Sequence, residues 1–260
     1  TVSDYRPGTS TAAGGNPTLR PYSADNIDLA AEWYYDAGSY ATITYFYKKV
    51  DDYIVTDVVN DVFLDDNGDP LLDPQGRFDP TIIPNVPVTS APGDPEADFA
   101  FSRPLNSAER SVDGWEFAIQ HMFGESGFGM QANYTIVNSD AEYDPSNFQQ
   151  QAILIGLSDS ANLVGFYETD VWSVRLAANW RDEFLFAENQ LRSTNEPVYF
   201  KEYLQLDLST SYSFNENYQV IFEVLNMTGE DQRQRGRYPE QYLLENNQYA
   251  RYNFGIRANF

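Results

Sequence analysis

A two-residue hydrophobic period, sustained over segments of ten residues and more, constrains this chain more than any other feature. In 203–214, YLQLDLSTSYSF, the residues Leu204, Leu206, Leu208, Thr210, Tyr212 and Phe214 fall on one face. Gln205, Asp207, Ser209, Ser211 and Ser213 fall on the other. Successive side chains of a strand point to opposite sides, whereas helical faces repeat every three to four residues, so the pattern has no helical competitor. In 172–181, WSVRLAANWR, the set Trp172, Val174, Leu176, Ala178 and Trp180 opposes Ser173, Arg175, Ala177, Asn179 and Arg181. At the C-terminus Tyr252, Phe254, Ile256, Ala258 and Phe260 oppose Arg251, Asn253, Gly255, Arg257 and Asn259. Six noisier segments, at 26–36, 39–54, 110–123, 127–138, 162–169 and 218–227, bring the expectation to about nine strands. Many reach ten residues, where an ordinary globular strand has about five or six.

Composition narrows the class further. Sixteen Lys and Arg against 39 Asp and Glu give a net charge of −23, which excludes electrostatic binding of nucleic acid. There is no cysteine and one histidine, His121, so disulfides, thiolate chemistry and His-rich zinc sites are outside its means. No apolar run approaches the ~18 residues of a membrane-spanning helix. The chain begins at Thr1 without an initiator methionine or signal peptide, as a processed or truncated product would. Yet it carries 19 Tyr, 17 Phe and 4 Trp. A membrane β-barrel reconciles polar average composition with that aromatic load, because only alternate strand residues face lipid.

Connections alternate in length. Short turns fall at 37–38, 124–127, 169–170 and 215–217; long polar links cover 55–109, 139–161, 182–200 and 228–248. An up-and-down barrel with one tight rim and one decorated rim has this rhythm. Aromatic residues bracket the short turns: Trp33, Tyr35 and Tyr40, then Phe123 and Phe128, Tyr167 and Trp172, Phe214 and Tyr218. That is the arrangement of an interfacial girdle. A second set, Tyr45, Tyr47, Trp115, Tyr134, Trp180 and Tyr252, lies farther along the strands. The core aromatics of a soluble β-sandwich are the competing explanation. The link 55–109 is too long for a plain connector and is either functional or partly disordered.

Several segments, in order, resemble TonB-dependent outer-membrane receptors. GGNPTLRPYSADNIDLAAEWYY (14–35) resembles a GNP-x-L-x-P-E loop and its following strand, with Tyr22 in place of the acidic residue. YFYKKVDDYI (45–54), VDGWEF (112–117), GFGMQANYTIVNS (127–139), LAANWRDEFL (176–185) and VIFEVLNMTGE (220–230) are similar to successive strands of that family. RYNFGIRANF ends on the aromatic residue typical of outer-membrane barrels. The resemblance implies an all-β, antiparallel up-and-down transmembrane barrel of about 22 strands, of which about nine are present here. Residues 1–25 are then an extracellular loop remnant and 26–260 the C-terminal part of the barrel. The subgroup it most resembles is linked to carbohydrate uptake.

Candidate residues follow from these faces. Lys48, Glu116, Arg175, Arg181, Asp207, Glu223, Arg251 and Arg257 lie on polar faces and are expected to point into the lumen, paired across strands. Tyr252, Phe254, Ile256 and Phe260 form the terminal pattern that, by resemblance, outer-membrane assembly machinery reads. Tyr143, Asn147, Phe148, Gln149, Tyr238, Gln241 and Tyr242 offer rings and amides for ligand contact, as sugars require. Arg233, Arg235 and Arg237 form a possible cationic patch suited to a ferric chelate. Asp65, Asn67 and Asp69 are weak calcium candidates, without EF-hand spacing or its distal Glu. No catalytic set is present and no cofactor is called for, so the chain is not expected to be an enzyme.

The expectation is a bacterial outer-membrane receptor, with long loops outside and short turns and C-terminus in the periplasm. Its expected partners are the TonB complex (through an N-terminal region), the assembly machinery, outer-membrane lipid and a scarce small-molecule or oligosaccharide ligand. An oligosaccharide is preferred because a net charge of −23 repels anionic chelates. A ferric-siderophore receptor and a passive small barrel with an adhesion role are the alternatives.

Overall fold

The computed structural model describes residues 2–6, 11–62, 98–107, 109–147, 151, 153–188 and 196–259. These form seventeen strands and no helix among the described residues. Numbered in chain order, they are β1 (Val2–Arg6), β2 (Thr11–Gly14), β3 (Ser23–Asp36), β4 (Ser39–Asp51), β5 (Ile54–Val62), β6 (Asp98–Asn106), β7 (Arg110–Met122), β8 (Phe128–Ser139), β9 (Ser160–Glu168), β10 (Trp172–Arg181), β11 (Phe184–Ala187), β12 (Val198–Phe200), β13 (Tyr203–Ser213), β14 (Tyr218–Leu225), β15 (Gln232–Arg235), β16 (Tyr242–Asn246) and β17 (Arg251–Ala258). The chain divides into two units, 1–23 with 51–109 and 24–50 with 110–260. By internal contacts, 51–109 groups with 1–23 and not with the strands on either side of it.

The second unit is built on one nine-stranded sheet in the order β17-β14-β13-β10-β9-β8-β7-β4-β3. Seven of its strand pairs are antiparallel by register, and three of the four short turns are marked by Gly or Asn, the fourth being Thr169-Asp170. Gly38 and Gly127 supply φ of 70° and 80° in two of those turns. At Gly127 a Cβ would stand 2.5 Å from the Glu168 carbonyl, so the turn accepts no larger residue without moving.

Register turns the alternating pattern into two faces. Ile119, Ala132, Leu163, Ala178 and Leu206 form one unbroken cross-strand row. Met130, Gly165, Leu176, Leu208, Val224 and Tyr252 form a neighbouring one. On that face Phe254 pairs with Phe222 and Ile256 with Val220, and Ile256 is 68% exposed. Leu, Ile, Trp and Phe thus lie open along this face, an apolar surface larger than a water-soluble face ordinarily carries. Rings gather at both ends of it. Near the short turns Phe128 meets Tyr167 at 4.5 Å and Trp172 meets Tyr212 at 4.6 Å. Toward the other end Tyr45 meets Trp115 at 5.0 Å and Tyr134 meets Trp180 at 6.4 Å. From Trp172 to Trp180 the strand rises about 26 Å, or roughly 20 Å along the membrane normal at a 40° tilt, close to the ~25 Å apolar band of an outer-membrane barrel.

Two aromatic residues break the alternation for a steric reason. Phe46 and Phe166 lie on the polar face, and their rings cover Gly114 and Gly129 on the paired strands. The rings restore the packing that a glycine forfeits within a sheet.

The first unit holds a four-stranded sheet, β1-β2-β6-β5, with β2 and β6 parallel. The link 55–109 is thus not wholly irregular: β5 and β6 pair over nine positions, from Ile54↔Asn106 to Val62↔Asp98. The strand expected over 39–54 breaks at Asp52, whose φ is 56°. The GNP segment is a turn pinned to β6. Asn16 Oδ1 accepts from Thr18 N at 3.0 Å, and Asn16 Nδ2 donates to Pro104 O at 3.1 Å. Asn106 Nδ2 donates to the carbonyls of Arg20 and Asp52. Phe148, Gln149, Asp65, Asn67, Asp69 and Phe260 lie outside the described residues.

Candidate functional site

The eight charged residues assigned to the polar face do share it by register. Glu116 shares a row with Thr44, Thr135, Ser160 and Arg181, and Arg175 one with Ser209 and Glu223. Lys48 pairs with Val112, Asp207 with Ala177, Arg251 with Leu225 and Arg257 with Gln219, with matching parity. The expected cross-strand ion pairing is corrected, because among the described residues no ion pair joins any two of the eight. Spacing explains this. Ser209 stands between Arg175 and Glu223, leaving them about 9.6 Å apart at two strand spacings. Glu116 is offset from Lys48 by four residues, about 13 Å. Arg181 turns to the end of the strand, where it donates to Gly156 O at 2.6 Å and Ser158 Oγ at 2.8 Å and covers the Phe184 ring. Asp207 accepts from Gln205 Nε2 and the Asn226 amide, both at 2.8 Å.

Between these charges the face is dominated by amides. Asn162 Nδ2 donates to Asn133 Oδ1 and Gln131 Nε2 to Gln120 Oε1, each at 2.8 Å. Asn133, Asn162, Asn179, Arg175, Asp207 and Glu223 border a hollow of about 580 Å³. Such a wall offers donors and acceptors but no convergent catalytic geometry.

Three of the long links build a second structure. Four short strands, overlooked in the sequence, pair as β11-β12-β15-β16. Phe184 opposes Phe200, Tyr199 opposes Arg235, and Arg233 opposes Glu245. The turn 144–147 packs here as well. Ser146 N and Oγ both donate to Asp144 Oδ1, and these bonds hold the Asp144 carboxyl below the ordinary range. Gln151 closes it, accepting from Asp144 N and donating to Asp144 O.

The arginines do not form a free cationic patch, because each has its own carboxylate. Arg233 Nε lies 2.7 Å from Glu245 Oε1; Arg235 binds Glu183 through both Nε and Nη2; Arg237 Nε lies 3.5 Å from Glu196 Oε2. Arg235 also stacks on Tyr199 with its Cζ 3.9 Å from the ring centre. Burial pushes the Tyr143 and Tyr199 phenols up, opposed by the guanidiniums of Arg237 and Arg235. Arg237 is only 3% exposed, a packing residue of the links, and Tyr143 meets Tyr199 edge-on at 6.2 Å. Of the ligand candidates, Tyr238 and Tyr242 are open, 59% and 65% exposed, and Asn147 is exposed while Gln241 is half-buried.

Two functional-looking positions were missed in the sequence. Glu188 is half-buried with Oε2 unpartnered, and desolvation pushes its carboxyl up against backbone hydrogen bonds from Gln151 and Ile153. Asn226 is 3% exposed with φ of 52° and ties both ends of the 228–248 link together. The αL-tolerant Asn at a strand end was the available signal for Asn226; Glu188 had none. Among the described residues no three His, Cys, Asp or Glu converge as a metal site.

A family profile described as "TonB dependent receptor-like, beta-barrel" matches residues 1–227. Among curated proteins no match is found. Solved structures agree in fold. The siderophore receptor PirA from Acinetobacter baumannii superposes with a TM-score of 0.61 at 18% identity, covering 96% of this chain and 33% of that one. A G324V mutant of the ferric enterobactin receptor PfeA from Pseudomonas aeruginosa gives 0.60 at 15% identity, covering 96% and 33%. The FrpB iron transporter from Neisseria meningitidis gives 0.56 at 13% identity, covering 97% and 34%. The chain therefore spans about a third of the length of these structures. These relatives are named as receptors or transporters, not enzymes. On the profile match and the shared barrel-wall fold, the chain belongs to the TonB-dependent receptor β-barrel family.

Proposed function

We propose that this chain forms part of an outer-membrane receptor that takes up a ferric chelate of the siderophore type with energy supplied through TonB. The observation that carries the reading is structural: 96% of the chain superposes on the siderophore receptor PirA and on the ferric enterobactin receptor PfeA. The oligosaccharide preferred from loop aromatics and amides gains no support from these structures, and the ferric-siderophore alternative is the better supported of the two. Rings and amides serve either ligand, so those residues do not discriminate, and the named structures are iron receptors.

The apolar row through Leu163, Ala178 and Leu206 faces lipid, and the amide-rich face lines the lumen. The long links stand outside the cell, with Tyr238 and Tyr242 presented to ligand. The short turns and terminal strand lie at the periplasmic rim, where the terminal aromatics, Phe260 included, mark the strand for assembly machinery. Because Arg233, Arg235 and Arg237 are each matched by a carboxylate, these three add no spare positive charge to the mouth. Capture here rests on stacking and hydrogen bonds more than on attraction of a polyanion.

The test is deletion of the parent gene, followed by uptake of radioactive iron from a panel of neutral and anionic ferric siderophores. Growth on plant, algal and storage polysaccharides is scored in parallel. Loss of iron uptake from at least one chelate, with induction under iron starvation, is expected. A growth defect on one polysaccharide with iron uptake intact would overturn the chelate reading.

A further inference from the structure

Arg237 lies at the meeting point of three links that are far apart in sequence. It sits in the β15–β16 turn, closed by a bond from Gly236 N to Gln241 O at 2.9 Å. Its Nη1 donates to Pro145 O at 2.5 Å and Asn147 O at 3.4 Å, both in the β8–β9 link. Its backbone N–H donates to Glu196 Oε1 at 3.2 Å and its Nε faces Glu196 Oε2 at 3.5 Å, in the β10–β13 link. Its Cζ stands 5.7 Å from the Tyr143 ring centre. A guanidinium presents several donors in a rigid plane and can hold two carbonyls and a carboxylate at once, which an ammonium point charge does less well.

Neighbouring contacts reinforce the junction. Arg235 bridges Glu183, Tyr199 and the Gly236 carbonyl, and Gly156 N donates to Leu185 O at 2.8 Å. Ile153, Leu185, Pro197 and Val198, drawn from two links, are all buried. By contrast the Arg233 side chain, half-exposed, pairs only with Glu245 inside a single link, and its one bond to another link, from Lys201 N at 3.0 Å, is to the backbone carbonyl and survives side-chain truncation.

We propose that Arg237 is the fastener that joins the described parts of three links, 142–147, 196–200 and 232–246, into one unit, so that these segments move together and not independently. Taking one partner from a buried, hydrogen-bonded charge leaves carbonyls and a carboxylate unsatisfied, which favours release of all three segments. Arg237 thus positions the exposed rings of Tyr238 and Tyr242 without touching a ligand itself. The inference concerns the links alone and stands or falls independently of which solute the receptor carries.

The experiment uses the full-length receptor in lipid, without other cysteines, carrying spin labels in pairs at the exposed positions Glu142, Lys201 and Glu240. Wild type should give one narrow distance distribution for each of the three pairs. Arg237→Ala should broaden all three, Arg237→Lys should restore part of the narrowing, and Arg233→Ala should leave all three unchanged. Amide exchange across 142–147, 196–200 and 232–246 should accelerate by a common factor of tenfold or more in Arg237→Ala. Broadening of only the pairs that include position 240, or narrow distributions throughout, would overturn the proposal. Heat-modifiable migration confirms that the barrel has assembled. If Arg237→Ala does not assemble, Glu196→Gln and Arg237→Lys are compared by the same distances. Distributions as narrow as wild type in both would equally overturn it.

Discussion

Replacing Asn226 tests whether one buried amide closes the β14–β17 link. Its Nδ2 donates to Glu230 O at 2.9 Å and to Gln248 O, and its Oδ1 accepts from Glu230 N at 2.9 Å. Its own amide donates to Asp207 Oδ1 at 2.8 Å, so the residue also anchors β14 to β13. Asn226→Ala removes three side-chain hydrogen bonds at about 1 kcal/mol each and leaves their partners partly buried. The φ of 52° adds about 1 kcal/mol, because a Cβ without a local hydrogen bond is disfavoured there. The sum is about 4 kcal/mol of local stability, or roughly a thousandfold in the opening equilibrium. Asn226→Gly removes the same bonds without the backbone strain and should cost about 3 kcal/mol. Asn226→Asp keeps the acceptor but sets a carboxylate among the Glu230 and Gln248 carbonyls and the Asp207 carboxylate. It should cost more than Ala at neutral pH. Hydrogen exchange of 228–250 in the full-length receptor reads the effect. Exchange in Asn226→Ala within threefold of wild type would show that the link is closed by other contacts.

Three further outcomes follow from the same geometry. Ile256→Lys, on the apolar face, should cost roughly 2–4 kcal/mol near the midplane and less near an interface if that face meets lipid, whereas Asn253→Lys on the opposite face should be mild; equal folded fractions for both in lipid vesicles would reverse the face assignment. Gly114→Ala puts a Cβ 2.1 Å from Ile136 O and 2.5 Å from Phe46, so outer-membrane levels should fall and Phe46→Ala should not restore them, the backbone oxygen being the closer obstacle. The raised carboxyl of Glu188 means that its contribution to holding 151–153 is fully present below the ordinary glutamate range and is lost as pH rises through the shifted value. Protection of 153–157, corrected for the intrinsic rise of amide exchange with pH, should therefore fall over that interval in wild type and stay level in Glu188→Gln; parallel corrected profiles would remove Glu188 as the cause.

Much of the fold was legible along the chain, and some of it was not, for identifiable reasons. Leu204 to Phe214 and Trp172 to Arg181 state their faces by alternation, a local property that each strand carries whatever its neighbours are. Four of the eight neighbour pairings in the sheet follow because a short turn leaves only the adjacent strand as a partner, while the other four, β4–β7, β8–β9, β10–β13 and β14–β17, are made across long links. The faces and the four turn-set pairings belonged to the sequence by itself, together with the aromatic rims and the membership that ordered motifs implied. β11, β12 and β15 have four, three and four residues, too few for any period to show, and they exist because distant segments pair them, β12 with β15 across two links. The same is true of charge. Arg233, Arg235 and Arg237 look like a cationic patch in sequence, and only the fold brings Glu245, Glu183 and Glu196 to neutralise them. Arg175 and Glu223 are opposite charges on polar faces in sequence, and only the register inserts Ser209 between them. Alternation is decided within a strand, whereas pairing, burial and neutralisation are decided by residues as far off as Pro145 is from Arg237, and these the tertiary structure alone brings together.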